Sequence, residues 1–308
     1  MLQSRPMQPA RERQVTDPAT SQEQLTSRDG VALHLRYWPA VGAARGTVQL
    51  VHGLGEHIGR YEHVAAALVA AGWRVVGHDH RGHGRSEGAR GDLPQAPALL
   101  DDLALVFDHV RCAGPHVLLG HSLGGLVAAR FVAEGLAVAP APAPFAREVD
   151  ALVLSSPALD PGMNALQKLL LAVVGRLAPH LRLGNGLDAA WICRDPAVVA
   201  AYRADPLVHD RITPTLARFI VDAAALVRGL APRWRVPTLL MWAGADRCVA
   251  PAGSAAFALA APRDVVTARE WPGFAHEIFN EPERAQVLAA LVQWLDRLSG
   301  TPAAPDLH

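Results

Sequence analysis

Val117-Leu118-Leu119-Gly120-His121-Ser122-Leu123-Gly124 is an apolar run that ends in a serine bracketed by glycines, and the residues beyond it recur with helical period as far as Glu134. A short apolar run bounded by glycine reads as a buried strand, and its sequel as a helix. Strand, sharp turn and helix in that order expose the serine hydroxyl at the top of a sheet. Glycine suits positions 120 and 124 for a steric reason. The residue at the bend is held in a strained conformation, and side chains on either side of it would collide with the adjoining strand or helix. Because Gly-x-Ser-x-Gly arises often by chance, its setting between strand and helix carries the reading of Ser122 as a nucleophile. The alternative is a glycine-rich turn whose serine only caps the helix.

The same alternation continues on both sides. Strand character is expected at residues 24–26, 31–38, 47–52, 74–79, 116–120, 151–155, 238–243 and 265–270. Helices are expected at 61–71, 98–110, from 122 or 123 to 134, 254–260 and 283–298. This is the pattern of an α/β protein whose mostly parallel eight-stranded sheet carries helices on both faces. Asp29-Gly30, between the first two runs, is a hairpin signal. Between 157 and 234 the rhythm stops, and helical stretches separated by Gly184-Asn185-Gly186, Asp195-Pro196 and Thr213-Pro214 replace it, with no strand-like run. That segment is expected to be an inserted helical cap. It divides the core into residues 25–156 and 235–299, with tails at 1–24 and 300–308 and a proline-rich surface loop at 139–144.

Half of the 308 residues are hydrophobic, enough for a sizeable core. Basic and acidic side chains balance at 29 each, which removes the electrostatic reason to expect a nucleic-acid partner or a strongly charged substrate. Cys112, Cys193 and Cys248 form no CxxC pair and are too few for a disulfide framework or a structural zinc site, so a reducing compartment fits. Residues 1–24 lack the apolar core of a signal peptide. The longest apolar stretch, 166–181, is interrupted by polar residues and glycine and falls short of the ~20 apolar residues of a membrane span. A cytoplasmic, soluble protein is expected, at most peripheral to a membrane.

A serine hydroxyl becomes a nucleophile when a histidine takes its proton and an acid fixes that histidine. On this kind of turn the chain order is serine, acid, histidine. Among 14 histidines, His276 is the one between Asp210 and the C-terminal tail, and it follows the last expected strand. Its alternative is a capping or core histidine. Asp246 lies just past the strand at 238–243, at the carboxyl edge where such sheets place their sites. Asp160 is a rival acid, and Asp246 paired with Arg247 or Arg233 on the surface is the bland alternative. For the oxyanion, the backbone N–H of Leu123 supplies one donor and that of Leu54, in His52-Gly53-Leu54-Gly55, the second. A plain strand-to-helix turn is the other reading of that loop.

Five strings, HGLGEHIGRY (52–61), HDHRGHGRSEG (78–88), GHSLGG (120–125), GADRCVAPAGS (244–254) and GFAHEIFNEPER (273–284), closely resemble the monoacylglycerol lipase and lysophospholipase branch of the α/β hydrolases in content, order and spacing. The resemblance covers roughly residues 27–298. It implies the α/β-hydrolase fold and hydrolysis of a carboxylic ester with a single acyl chain, the substrate being small and amphipathic, with neither metal nor organic cofactor. It also implies that Glu56 and Arg60 lie near the polar end of the pocket, against the alternative of a structural ion pair at a helix start. Tyr202 matches a cap tyrosine facing the alcohol side of the site. Where many relatives carry a large residue before the histidine this chain has Ala275, which would enlarge that side. Cys248 reads either as a thiol-reagent target or as a buried inert cysteine.

Leu166, Leu169, Leu170, Val173 and Leu177 recur at helical spacing, with Leu171 and Val174 widening the stripe. They either pack the cap on the core or wall an acyl tunnel and touch a lipid surface. A buried aliphatic chain gains roughly 0.8 kcal/mol per methylene, so such a tunnel would select chain length by the carbons it covers. Monoacylglycerol is the expected substrate, with lysophospholipase or general carboxylesterase activity as the enzymatic rival and a non-catalytic ligand-binding protein as the rival of another class.

Overall fold

A computed structural model describes residues 20–136 and 143–298 of the chain. Both expected tails and the proline-rich loop fall wholly or largely outside the described residues. The first two strands, β1 (Ser21–Thr26) and β2 (Ala32–Trp38), pair antiparallel around the Asp29-Gly30 turn, where Gly30 has φ 90°. β1 starts inside the stretch read as a tail. Apart from Leu25, which packs beside Leu33 and Leu35, its residues are polar and carry no apolar pattern; the strand is held mainly by backbone pairing to β2 and by the Tyr37 hydroxyl, which donates to Glu23 Oε2 at 2.6 Å.

From here the βα units follow the sequence. They are β3 (Thr47–Val51), α1 (Glu62–Ala70), β4 (Arg74–His78), α2 (Ala98–Val110), β5 (His116–His121), α3 (Ser122–Glu134) and β6 (Ala151–Ser155). Next come the cap elements α4 (Ala165–Leu177), β7 (Leu183–Gly184), α5 (Pro196–Ala204), β8 (Arg211–Ile212) and α6 (Pro214–Leu230). The core closes with β9 (Thr238–Ala243), α7 (Pro251–Ala260), β10 (Val266–Trp271) and α8 (Arg284–Leu298). The sheet runs β1-β2-β4-β3-β5-β6-β9-β10, and only the pairings made by β2 are antiparallel. Its two faces are read off the period of two. Val117, Leu119, Val153 and Met241 point to the layer of α1 and α8, while Leu118, Leu152, Leu154 and Leu240 point to that of α2, α3, α6 and α7. This is the α/β-hydrolase fold.

The inserted segment differs from expectation in two ways. β7 and β8 pair there as a two-stranded antiparallel ribbon, too short to leave a strand signature in sequence. α6 packs on α3, burying Leu216, Phe219, Ile220, Ala223, Val227 and Leu230 at helical spacing, so this end of the inserted segment joins the core layer. Two of the three breaks act as helix starts: Asp195 and Thr213 accept from Ala197 N–H and Leu216 N–H, each followed by proline in the first turn, while Gly184-Asn185-Gly186 starts at the last residue of β7. Among the described residues no helix is long and apolar enough to cross a membrane.

The parallel register sets Gly120 beside Val51 on one side and Leu154 on the other, so the loops after β3, β5, β9 and β10 emerge at one edge. Ser122 sits at φ 53°, in the left-handed region. A Cβ on Gly120 would lie 2.4 Å from the Gly124 carbonyl oxygen, and one on Gly124 would lie 2.1 Å from that of Val51. Backbone cannot yield as a side-chain end can. Gly124→Ala should therefore destabilise the protein by about 3 kcal/mol, measured as a Tm lower by roughly 6 °C or more. An unchanged Tm would refute this steric account of the turn.

Candidate active site

Ser122 is the first residue of α3, whose N-cap is His121, with no side-chain capping bond. It opens into a cavity of about 300 Å³ between the carboxyl edge of the sheet and the cap segment. His276 lines the same cavity. Its Nδ1–H donates to Asp246 Oδ2 at 2.6 Å, while Asp246 Oδ1 accepts from Cys248 N–H at 2.8 Å and Val249 N–H at 3.1 Å. The two loops are bound to each other, Gly244 N–H to the Trp271 carbonyl and Ala245 N–H to that of Phe274. Asp246 thus meets the expected histidine. The rival Asp160 does not: its carboxylate accepts from Gly162 N–H and makes no bond to His276.

Burial alone would lower the pKa of His276, but the charge of Asp246 and its hydrogen bond, helped by Glu277 and Glu56, raise it above the ordinary 6.5. The neighbouring His121 goes the other way. It is buried with its ring 4.7 Å from that of His276, and burial followed by the repulsion of His276 pushes it down to about 4. At neutral pH it is uncharged, its Nδ1 at 3.0 Å from the Ser155 hydroxyl. This partner was not anticipated from the sequence, because the variable position before the serine signals nothing about its own role.

Leu54 lines the cavity, whereas the Leu123 side chain is in the core and only its N–H, at the start of α3, can serve the site. Glu56 and Tyr202 also line the cavity; Arg60 lies behind them. Arg60 donates to Glu56 at 2.6 Å and in bidentate fashion to Glu277 at 2.6 and 2.7 Å, and its guanidinium lies 4.7 Å from the centre of the Tyr202 ring. Glu277 was not foreseen, although it directly follows the histidine. Ala275 is half-buried and does not line the cavity, so its small size leaves the space around Ser122 unchanged. Cys248 does line it, but burial and the charge of Asp246 push its thiol well up, keeping it protonated. Asp246, Cys248 and His276 form the only metal-sized trio among the described residues. With the thiol protonated and His276 Nδ1 bonded to Asp246, that trio is a hydrogen-bonded pair beside a neutral cysteine.

A model of the Hydrolase_4 family, described as serine aminopeptidase, S33, matches residues 42–283. The chain belongs to this family. As a Hydrolase_4 member it is 35% identical to a monoacylglycerol lipase of Mycolicibacterium smegmatis, over 89% of this chain and 96% of that protein. It is 30% identical to the human monoglyceride lipase, over 90% and 91% of the two chains. Among solved structures, a Paleococcus ferrophilus monoacylglycerol lipase superposes with a TM-score of 0.77 at 34% identity, covering 86% of this chain and 99% of that one.

Only neutral His276 can accept a proton, so its raised pKa places the acidic limb of kcat/KM above pH 6.5. Asp246→Asn removes the charge that raises it. The variant should lose kcat by about 10⁴-fold, and the limb of its residual activity should move to lower pH. A limb that stayed in place in the pH–rate profile would uncouple Asp246 from His276.

Proposed function

We propose that the protein is a carboxylic ester hydrolase acting on single-chain lipid esters, monoacylglycerols above all, through an acyl-enzyme on Ser122. The observation that carries the reading is the constellation itself: a serine on a strained turn, a histidine in the same cavity, and an acid 2.6 Å behind that histidine. Ser122 Oγ attacks the ester carbonyl as His276 takes its proton. The tetrahedral oxyanion is received by the N–H groups of Leu54 and Leu123. His276 returns the proton to the leaving alcohol, and water repeats the sequence on the acyl-enzyme. Each oxyanion donor contributes on the order of 3 kcal/mol to lowering the barrier.

The preference for an uncharged alcohol rests on how the cavity's charges are spent. Glu56 and Glu277 pair with Arg60, Asp205 with His57, Asp210 with Arg211, and Arg203 with Asp188. Among the described residues the one arginine lining the cavity, Arg203, is paired with Asp188, and acids outnumber it there, so a phosphate meets no free cation. A glyceryl group asks for none. The similarity to the two monoacylglycerol lipases and the human monoglyceride lipase supports this choice. Ser122→Ala should abolish turnover of a short p-nitrophenyl ester, and surviving turnover would sink the assignment. In competition, 1-monoolein should exceed lysophosphatidylcholine at least tenfold in kcat/KM, about 1.4 kcal/mol of discrimination; the reverse order would make this a lysophospholipase.

The cap leucines belong to this reading too. Leu166, Leu169, Leu170 and Leu177 are 60–82% exposed on α4 and do not line the cavity, which favours contact with the lipid that carries the substrate over an acyl tunnel. Leu169→Ser with Leu170→Ser should weaken partitioning onto phosphatidylcholine vesicles by roughly a hundredfold, given about 1.5 kcal/mol or more per buried leucine, while turnover of a soluble ester holds. Equal partitioning of both forms in a vesicle sedimentation assay would overturn it.

A further inference from the structure

The strand β3 ends at Val51, and the next two residues make an unusually complete set of bonds around one glycine. Gly53 N–H donates to Glu56 Oε1 at 2.6 Å. The Gly53 carbonyl lies 2.8 Å from His52 Nδ1. The tautomer of His52 follows from its other nitrogen, because Nε2 accepts from His80 N–H at 2.8 Å and so carries no proton. Nδ1 is therefore the donor to the Gly53 oxygen. His52 is wholly buried, and burial with the neighbouring His80 and His83 keeps it neutral, which holds that tautomer in place.

A trans peptide sets its C=O and N–H in opposite directions, and the described chain has no cis bond. With the Gly53 carbonyl drawn towards His52, the N–H of Leu54 faces away from that ring, and Gly53 and Leu54 line the cavity beside Ser122. Among the described residues the Leu54 N–H donates to no protein group. Glu56 fixes the peptide on the other side of the same glycine. Its oxygens are already engaged, Oε1 also by the Tyr61 hydroxyl at 2.7 Å and Oε2 by Arg60 at 2.6 Å. Three of the roughly four acceptor sites of the carboxylate are thus taken within the protein, all on bonds that fix the loop.

We propose that Glu56 and His52 are positioning residues that grip the two peptide groups of Gly53 and hold the Leu54 N–H ready for the oxyanion, Glu56 making no primary contact with the alcohol. This rests on the assignment of Ser122 as nucleophile and Leu54 as donor, and assigns the residues that align that donor. Preorganised donors act without reorganisation in the transition state, so the effect falls on kcat and on transition-state analogues, with ground-state binding spared.

Glu56→Leu removes the acceptor for Gly53 N–H; Glu56→Gln keeps one without the charge. The leucine variant should lose roughly a hundredfold in kcat with KM within about twofold, equally for 1-monoolein and a p-nitrophenyl ester, and the glutamine variant should recover most of it. An alkyl trifluoromethyl ketone, which forms an oxyanion on the serine, should bind the leucine variant weaker by the same factor. A 1-O-alkylglycerol ether, which has no carbonyl, should bind as to wild type and so report an intact pocket. If Glu56→Leu fails to fold by circular dichroism, His52→Leu and His52→Asn, the latter retaining a donor near the Nδ1 position, take its place under the same two readings. A loss confined to 1-monoolein, appearing as raised KM with weaker ether binding, would overturn the proposal in favour of direct alcohol recognition. Wild-type enzyme that bound the ketone no tighter than the ether would instead overturn the role of Ser122, leaving the two failures distinct.

Discussion

Backbone against backbone is the contact on which the site depends. The α-carbon of Gly124 packs so closely on the end of β3 that an added Cβ would lie 2.1 Å from the Val51 oxygen and 2.3 Å from that of His52. The turn holding the nucleophile and the loop after β3 are thereby brought within a fixed distance, and a Cβ on Gly53 would come 3.2 Å from the Cβ of Ser122. The left-handed conformation of Ser122 costs on the order of 1–3 kcal/mol. α3 offsets it, being buried along nearly its whole length through Leu123, Leu126, Val127 and Phe131.

A second constraint is electrostatic. Glu56, Arg60 and Glu277 are charges taken out of water, which is costly unless every donor and acceptor is met. Here the partners come from three separate parts of the chain. Glu56 reaches the loop after β3, Glu277 follows His276 directly and donates its N–H to the Ile192 carbonyl of the cap at 2.7 Å, and Tyr202 of α5 lies over the Arg60 guanidinium. Arg60 holds the Glu56 carboxyl down against the upward push of burial, and both acids in turn help raise His276. The network that fixes the geometry is therefore also one that tunes the base.

How much of this the sequence reveals follows from what kind of force fixes each part. The helices at 98–110 and 122–134 and the strands at 151–155 and 238–243 are found at their expected bounds, because each is set by burial of an apolar pattern. β1 escapes over its first three residues because its pairing is by backbone, and the β7–β8 ribbon because two residues have no period. α6 reads as part of the cap since its helical pattern is indistinguishable from that of a cap helix until its partner α3 is known. At the site, the chain order and the loop positions point to Ser122, Asp246 and His276. Glu277 and His121 stay hidden because they depend on which side chains meet across more than a hundred residues of chain, and the tautomer of His52 because it is set by the backbone N–H of His80 on the next strand's loop.

The cap itself has two kinds of attachment. The segment roofing the cavity is tied to the core by polar bonds: His209 N–H to the Gly55 carbonyl, His57 to Asp205, and Arg194 to Glu281 and Glu283. α4 instead rests on α6, and its start is closed by its own capping box, Asn164 with Gln167. A helix stabilised at its own end needs less tertiary packing to persist, which lets its leucines remain outside the core. The outward apolar face and the polar roof over Ser122 therefore rest on different parts of the core.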